Sequence, residues 1–149
     1  MKAFGSALKP FSTDICMVEL DQLKEHEQTG TKRLEKLKER IKCDGILKVS
    51  IAVDKKTNVV IDGHYRLNAL KQLGAKRIPV TYFDYQSNQI KVKTWRKNEM
   101  MTKKQVIEAG LNGNRFPPKT SKHMIEKNGK LVHISKFEKR VNIPLNKLK

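Results

Sequence analysis

The sequence predicts an α+β fold, in which a small mixed β-sheet packs against helices, and two observations support this. Short runs rich in β-branched residues occur at 49–53, 59–61 and 78–83, with turn-forming residues between them. Two other segments carry apolar residues at helical spacing, one starting near Thr31 and one covering about residues 63–73. Helices that alternate with short strands are typical of a sheet covered by helices.

The first helix is predicted from apolar residues that recur three and four positions apart and therefore share one face of a helix. These residues are Leu34, Leu37 and Ile41. Thr31 is the expected N-cap, and Gly45 is expected to end the helix. Upstream of it, residues 17–20 are expected to form a short strand or loop.

The next two strands, 49–53 and 59–61, are separated only by residues 54–58, a spacing that suits a hairpin. The second helix follows the hairpin directly. Gly74 is its expected C-cap, because glycine accepts the left-handed backbone in which helices often end.

In the second half, apolar and basic residues alternate over 90–94, which predicts a half-exposed strand. Thr102 and Gln105 have the spacing of a capping box and predict a short helix over about 103–110. Two further apolar runs are candidate terminal strands, at 132–134 and 141–143.

Composition points to one domain covering residues 1–149, with a core at about 15–125 and a basic C-terminal extension. The chain has 149 residues, of which 38% are hydrophobic, enough for one modest core. It has no apolar run of 18 residues and no apolar leader at its start, so we expect a cytoplasmic protein that does not enter membranes.

The net charge of +17 is the feature that points toward polyanions. The charge is uneven, because residues 90–149 carry 16 of the 32 basic residues and only 4 of the 15 acidic ones. Such a surface is consistent with nucleic-acid binding. It is equally consistent with a site for a nucleotide and a phosphorylated product, or with the lysine-rich surfaces of heat-adapted proteins.

The junction between the strand at 59–61 and the second helix combines an acid, a glycine, a histidine and an arginine: Asp62, Gly63, His64 and Arg66. Helix N-termini attract anions through unpaired backbone N–H groups, and glycine lets a phosphate approach the backbone. Asp62 would repel a bare phosphate but could hold a Mg²⁺ that bridges phosphate oxygens. The alternative is that Asp62 only caps the helix and that Arg66 is a solvated surface residue.

This junction and the strands around it, at 49–53, 60–66 and 78–80, resemble the ParB N-terminal/sulfiredoxin superfamily, whose members carry an Asp-Gly-His-His-Arg-like motif here. Tyr65 departs from the second histidine of that motif. Sulfiredoxins place a reactive cysteine before the histidine. This chain has Gly63 at that position, which argues against sulfiredoxin activity.

Within this superfamily the chain is most similar to the free serine kinase branch, over roughly residues 15–125. The matching pieces are His26-Glu27, the run at 94–96 and the proline-rich run at 116–123, FPPKTSKH, which is the most specific of the three. The two prolines exclude a helix there and present the residues that follow from a stiffened loop. The resemblance implies phosphorylation of free L-serine to O-phospho-L-serine, with ADP or ATP as donor and Mg²⁺ as cofactor.

The resemblance also implies a role for each candidate residue. Glu27 is the expected catalytic base, and Asp62 is the second expected catalytic residue, as a ligand of Mg²⁺. The nucleotide would be held by Gly63, His64 and Arg66, and the amino acid by Trp95, Lys119, Thr120 and His123. Chemically, Lys119 and His123 could pair with the serine carboxylate.

Alternatives remain for several of these residues from the sequence alone. Glu27 could be one solvated acid of the Glu25-His26-Glu27 cluster, His26 could tune Glu27 or lie at the surface, and Trp95 could pack in the core. At the level of function, the alternative is a ParB-like DNA-binding protein or a nuclease or NTPase, and a third class is a regulatory nucleotide-binding module. Weak, non-specific nucleic-acid binding is expected from the charge in any of these cases.

Overall fold

A computed structural model describes residues 11–96 and 100–149. Residues 1–10, on which the expectation of no leader depends, lie outside the described part. Within it, the strands are β1 (Phe11–Glu19), β2 (Ile46–Val49), β3 (Ile51–Asp54), β4 (Val60–Asp62), β5 (Arg77–Phe83), β6 (Ile90–Lys93), β7 (Lys122–Lys127), β8 (Lys130–His133) and β9 (Arg140–Pro144). The helices are α1 (Thr31–Asp44), α2 (His64–Gln72) and α3 (Lys103–Asn112).

The main sheet has four strands in the order β1-β5-β3-β4. Strands β3 and β5 run parallel, whereas β3 pairs with β4 and β1 pairs with β5 in antiparallel fashion. The predicted mixed sheet and α+β class are therefore confirmed, as is the hairpin formed by β3 and β4.

Both faces of this sheet are covered, so each β3 residue is buried whichever way it points. Ile51 and Val53 face a core built with α1 and α2, whereas Ala52 faces a second core built with α3 and the small β6-β7-β8 sheet. This arrangement places the β4–α2 junction at the edge where the helical layer and the second sheet meet.

Four expectations about the elements need correction. Leu73, not Gly74, is the C-cap of α2. Gly30, not Thr31, is the N-cap of α1. The run at 49–53 is not one strand, because the chain changes sheet at Ser50: β2 pairs with β9, and β3 pairs with β5. Strand β7, which starts just after the proline-rich loop, was not predicted.

Other expectations are confirmed. Thr102 and Gln105 form the predicted capping box of α3, and the two apolar runs near the end of the chain form β8 and β9. Gly74 follows the C-cap Leu73 with a φ of 87°, the left-handed backbone that is common just beyond the end of a helix. In the described part of the chain, every helix is too short or too polar to span a bilayer.

Candidate active site

One cavity of about 750 Å³ collects nearly all of the predicted site residues. Of the nine, eight line it: Glu27, Asp62, Gly63, His64, Arg66, Trp95, Lys119 and His123. These eight come from the 24–28 segment, the β4–α2 junction, the end of β6, and the proline-rich loop with the start of β7. The sequence resemblance therefore selected residues that are distant in the chain but adjacent in space.

Backbone pairing brings Glu27 to the proline-rich loop. The N–H of Val60 on β4 donates to the carbonyl of Lys24 over 2.8 Å, and the N–H of Phe116 donates to the carbonyl of His26 over 2.8 Å. The segment carrying Glu27 thus bridges the main sheet and the loop, which fixes the position of its carboxylate.

The Glu27 carboxylate is held by three donors from the loop. Oε1 accepts hydrogen bonds from the Ser121 N–H and the Ser121 hydroxyl, both over 2.9 Å, and Oε2 accepts from the Lys119 N–H over 3.2 Å. Lys119 has a φ of 63°, an uncommon left-handed backbone for a side chain of this size, which turns its N–H toward Glu27. Glu27 is therefore an oriented group at the cavity wall, not a freely solvated acid.

The β4–α2 junction depends on glycine for packing as well as for backbone conformation. Gly63 has a φ of 108°, and a Cβ there would lie 2.4 Å from Cγ2 of the buried Ile51. Gly63 is also the N-cap of α2, with no side-chain capping bond, so the alternative that Asp62 only caps the helix is wrong.

Arg66 stabilises the β4–α2 junction through hydrogen bonds to three other residues. Its guanidinium donates to the carbonyl of Ser50 over 2.6 Å, to Asp62 over 3.3 Å and to Glu138 over 2.8 Å. The alternative of a solvated Arg66 is wrong, because its side chain is only 18% exposed. At least three of its five N–H donors are already used, so it offers a bound phosphate its charge and few free donors.

Asp62 and Glu138 both accept hydrogen bonds from Arg66, and the surroundings of Glu138 indicate that it carries a proton. Burial and the neighbouring Asp62 charge raise the pKa of Glu138 well above its usual range, despite Arg66. Oε2 of Glu138 is buried and receives no N–H or O–H donor from the described residues. A proton on Glu138 directed at Asp62 satisfies both observations.

Three buried histidines lie side by side next to Glu27: His26, His64 and His123. The ring centroids of His26 and His64 are 4.6 Å apart, and those of His26 and His123 are 5.7 Å apart. Burial lowers the pKa of His26 to about 4 and holds the pKa values of His64 and His123 well below the usual range. All three are therefore neutral at neutral pH, and the alternative that His26 lies at the surface is wrong.

These histidines make stability depend on pH. Below about pH 6.5, the usual pKa of histidine, the imidazoles bind protons in the unfolded chain but stay neutral in the folded protein. The free energy of unfolding should therefore fall as the pH drops. The slope should approach about 1.4 kcal/mol per pH unit for each histidine. Urea denaturation at pH 7.0, 6.3 and 5.5 measures it, and a free energy that stays flat over this range would contradict the assignment.

In the proline-rich loop, one hydroxyl side chain bonds within the loop and the next one lines the cavity. The Thr120 hydroxyl donates to the carbonyl of Pro117 over 2.6 Å, and Thr120 is the one predicted residue that does not line the cavity. Its neighbour Ser121 lines the cavity instead. The expected ion pair between His123 and a substrate carboxylate is not available, because a neutral imidazole can only donate or accept a hydrogen bond. Nε2 of His123 lies 2.7 Å from the Tyr85 hydroxyl.

Trp95 lies at the mouth of the cavity and is 56% exposed, so the alternative of core packing is wrong. The ammonium of Lys122 lies 4.4 Å from the centre of the Trp95 ring, which holds the ring in place by a cation–π contact. Trp95 therefore offers an apolar edge to whatever enters.

The sequence analysis missed a basic wall on α1. Arg33, Lys36 and Arg40 line the cavity opposite the proline-rich loop, and the Arg33 guanidinium lies 4.5 Å from the Tyr65 ring centre. Their spacing of three and four residues puts them on one helical face, so the pattern was visible in the sequence. His133 and Ser135, which also line the cavity, gave no such signal.

No family model matches the sequence, but several known proteins and solved structures are similar to this chain. An ATP-dependent L-serine kinase of Staphylothermus marinus is 35% identical over 83 residues, which are 53% of this chain and 33% of that protein. The ADP-dependent L-serine kinase SerK of Thermococcus kodakarensis is 38% identical over 86 residues, 55% of this chain and 36% of that protein. The matched stretch is thus about a third of the length of these relatives.

The solved structure of a free serine kinase mutant in complex with ADP superposes with a TM-score of 0.75, over 92% of this chain and 95% of its own, at 19% identity. The chain has the free serine kinase fold. The resemblance predicted from the sequence is confirmed by these relatives. In this chain, the cavity lies between α1, the β4–α2 junction and the proline-rich loop.

Proposed function

We propose that this chain phosphorylates free L-serine to O-phospho-L-serine with ADP or ATP as the phosphoryl donor. The observation that carries the proposal is a cavity lined both by an oriented carboxylate, Glu27, and by the β4–α2 junction at Gly63. The L-serine kinase names of its relatives support the same chemistry.

Phosphoryl transfer needs a held phosphate chain and a group that orients the attacking hydroxyl and accepts its proton. The backbone at Gly63 and the Nδ1–H of His64 would bind the nucleotide phosphates. That proton of His64 is assigned, because its Nε2 faces the His26 N–H over 3.2 Å and must accept there. Arg66 and the basic wall on α1 would add positive charge around the phosphates.

Asp62 fits the role of the magnesium ligand. Among the described residues, no group of three or more His, Cys, Asp or Glu is arranged to hold a metal ion. Mg²⁺ in nucleotide sites needs no such group, since one or two carboxylates, phosphate oxygens and water complete its shell. Asp62 would hold the ion, whose charge offsets that of the phosphates during transfer.

The substrate end of the cavity suits a small zwitterion. Lys119 would pair with the carboxylate of serine, with Ser121 and the neutral His123 beside it and Trp95 covering the mouth. Glu27 would then accept the proton of the substrate hydroxyl. Thr120 would contribute by bracing the loop through Pro117, since its hydroxyl is already used there.

Replacing Lys119 tests the substrate end. Lys119→Ala should raise the serine KM about 10- to 100-fold, the value of a charge-assisted hydrogen bond, with a smaller change in nucleotide affinity. Lys93→Ala, which removes one positive charge from β6 outside the cavity, is the matched control and should change neither more than about twofold. Steady-state kinetics with serine varied, and calorimetry with nucleotide, separate the two effects. Loss of nucleotide affinity with an unchanged serine KM would mean that the two ends are reversed.

One assay tests the proposed function itself. The purified protein is incubated with Mg²⁺, L-serine and each of AMP, ADP and ATP, and O-phosphoserine is measured. Phosphoserine from ADP or ATP is expected. No product from any nucleotide, together with sequence-specific DNA binding that persists at about 200 mM salt, would favour the ParB-like alternative, because binding by charge alone is lost as salt rises.

A further inference from the structure

The side chains of Ser121 and His26 lie in line behind Glu27 and are hydrogen-bonded to each other. The Ser121 Oγ lies 2.9 Å from Glu27 Oε1 and also 2.9 Å from Nε2 of His26. His26 is completely buried, and its Nδ1 lies 2.7 Å from the carbonyl of Val60. A continuous hydrogen-bonded chain therefore runs from the cavity wall to the main sheet.

The protons in this chain can be counted. A carbonyl oxygen only accepts, so the proton of His26 sits on Nδ1 and donates to Val60. With the ring neutral, Nε2 is an acceptor. An ionised Glu27 is also acceptor-only. Ser121 has a single hydroxyl proton between these two acceptors, so it can satisfy only one of them at a time.

We propose that the Ser121 hydroxyl is a switch coupled to the protonation of Glu27: it donates to Glu27 while that carboxylate is ionised, and turns to Nε2 of His26 once Glu27 has taken the substrate proton. An ionised carboxylate is the stronger acceptor, and a protonated one is much weaker. His26 thus receives the hydrogen bond that Glu27 no longer attracts. Ser121 and His26 are positioning residues that make it easier for Glu27 to become protonated.

The inference rests on the proposed function, and the step balances. The O–H bond of the substrate breaks and its proton moves to a Glu27 oxygen, while the freed electron pair forms the new O–P bond and the bond from phosphorus to the nucleotide breaks. The Ser121 proton stays on Oγ and only rotates, so no proton passes through His26. The other titratable groups that lie near His26 are His64, His123, Glu25 and Asp62, and none of them is needed as a donor or acceptor in the switch.

Two substitutions of His26 separate the acceptor from the structural bond. In His26→Asn, the side-chain amide can replace Nδ1 and keep the bond to Val60, but nothing reaches Ser121. In His26→Gln, the longer side chain reaches the position of Nε2 and can accept from Ser121. We expect His26→Asn to lower kcat about 5- to 10-fold, the value of one net hydrogen bond, while His26→Gln recovers at least half of the lost activity.

Further kinetic readouts distinguish the switch from a loss of structure. KM for serine and nucleotide should change less than twofold in His26→Asn, and the acidic limb of its kcat–pH profile should move to lower pH because protonated Glu27 is less stabilised. In a Ser121→Ala background, His26→Asn should have no additional effect on kcat, because the two residues act through each other. Effects that simply multiply in the double variant would overturn the proposal.

A measurement without turnover keeps the switch separate from the proposed function. In Glu27→Gln the neutral amide mimics the protonated acid, so Ser121 should donate to His26 and move the ¹⁵N resonance of its Nε2 to lower frequency than in the wild type. The resonance is assigned by its absence in His26→Asn. Identical Nε2 resonances in the two proteins would overturn the switch. The expected shift in a protein that makes no phosphoserine would instead support the switch and contradict the proposed reaction.

Discussion

Glu27→Gln should lower kcat for phosphoserine formation by about 10²- to 10⁴-fold, the usual contribution of a general base. The amide has the shape of the carboxylate, but its single oxygen can accept from only one of the two loop N–H groups, and it cannot take up the substrate proton. Single-turnover kinetics at saturating serine and nucleotide measure the effect. Nucleotide affinity, followed by calorimetry, should stay within about threefold of the wild type.

Glu25 provides the matched control for this substitution. It lies two residues away and binds Lys71 and Asn68 on α2, outside the cavity-lining set. Glu25→Gln should therefore leave kcat nearly unchanged. Full turnover in Glu27→Gln would remove Glu27 from the proposed mechanism, whatever the control does.

Gly63→Ala should destabilise the protein by about 2–6 kcal/mol, because two costs add. The φ of 108° is strained for any residue with a Cβ, which costs about 1–3 kcal/mol. The added atom would also lie 2.4 Å from Cγ2 and 2.7 Å from Cβ of Ile51, which is fully buried and cannot move aside, and such overpacking costs about 1–3 kcal/mol more. Urea denaturation of both proteins at pH 7.5 gives the difference.

Gly74→Ala separates the two costs. Gly74 has a φ of 87°, but a Cβ there meets nothing within 4 Å, so only the backbone cost of about 1–2 kcal/mol should appear. Equal losses in the two variants would show that contact with Ile51 adds nothing. Gly63→Ala should also abolish detectable nucleotide binding, since the added Cβ would distort the backbone that is proposed to bind phosphate.

Local chemistry and periodicity were enough to predict α3 with its Thr102–Gln105 capping box and the hairpin before Asp62, because both depend on neighbouring residues. The change of sheet at Ser50 could not be predicted. It depends on the pairing of β2 with β9, and these two strands are about 90 residues apart in the sequence. Sequence periodicity carries no information about such a distant partner.

The same limit applies to the candidate site. The motif residues were found because they occur in short runs, and eight of them share the cavity. Glu138 was missed, although it pairs with Arg66, because nothing near it in the sequence marks it as functional. The exchange of roles between Thr120 and Ser121 was missed because strand β7 fixes which hydroxyl faces the cavity, and that strand was not predicted.

The contact between Glu138 and Arg66 makes the phosphate-binding junction and the end of the chain one cooperative unit. Glu138 lies two residues before the start of β9, and β9 pairs with β2 next to the carbonyl groups that Arg66 also binds. If β9 detached, the buried guanidinium of Arg66 would lose its hydrogen bond to Glu138 and be left with an unsatisfied donor, which is costly, so the junction should open together with β9. Local unfolding of the last strand and loss of the anion site are then a single event, with one opening free energy shared by amides about 70 residues apart.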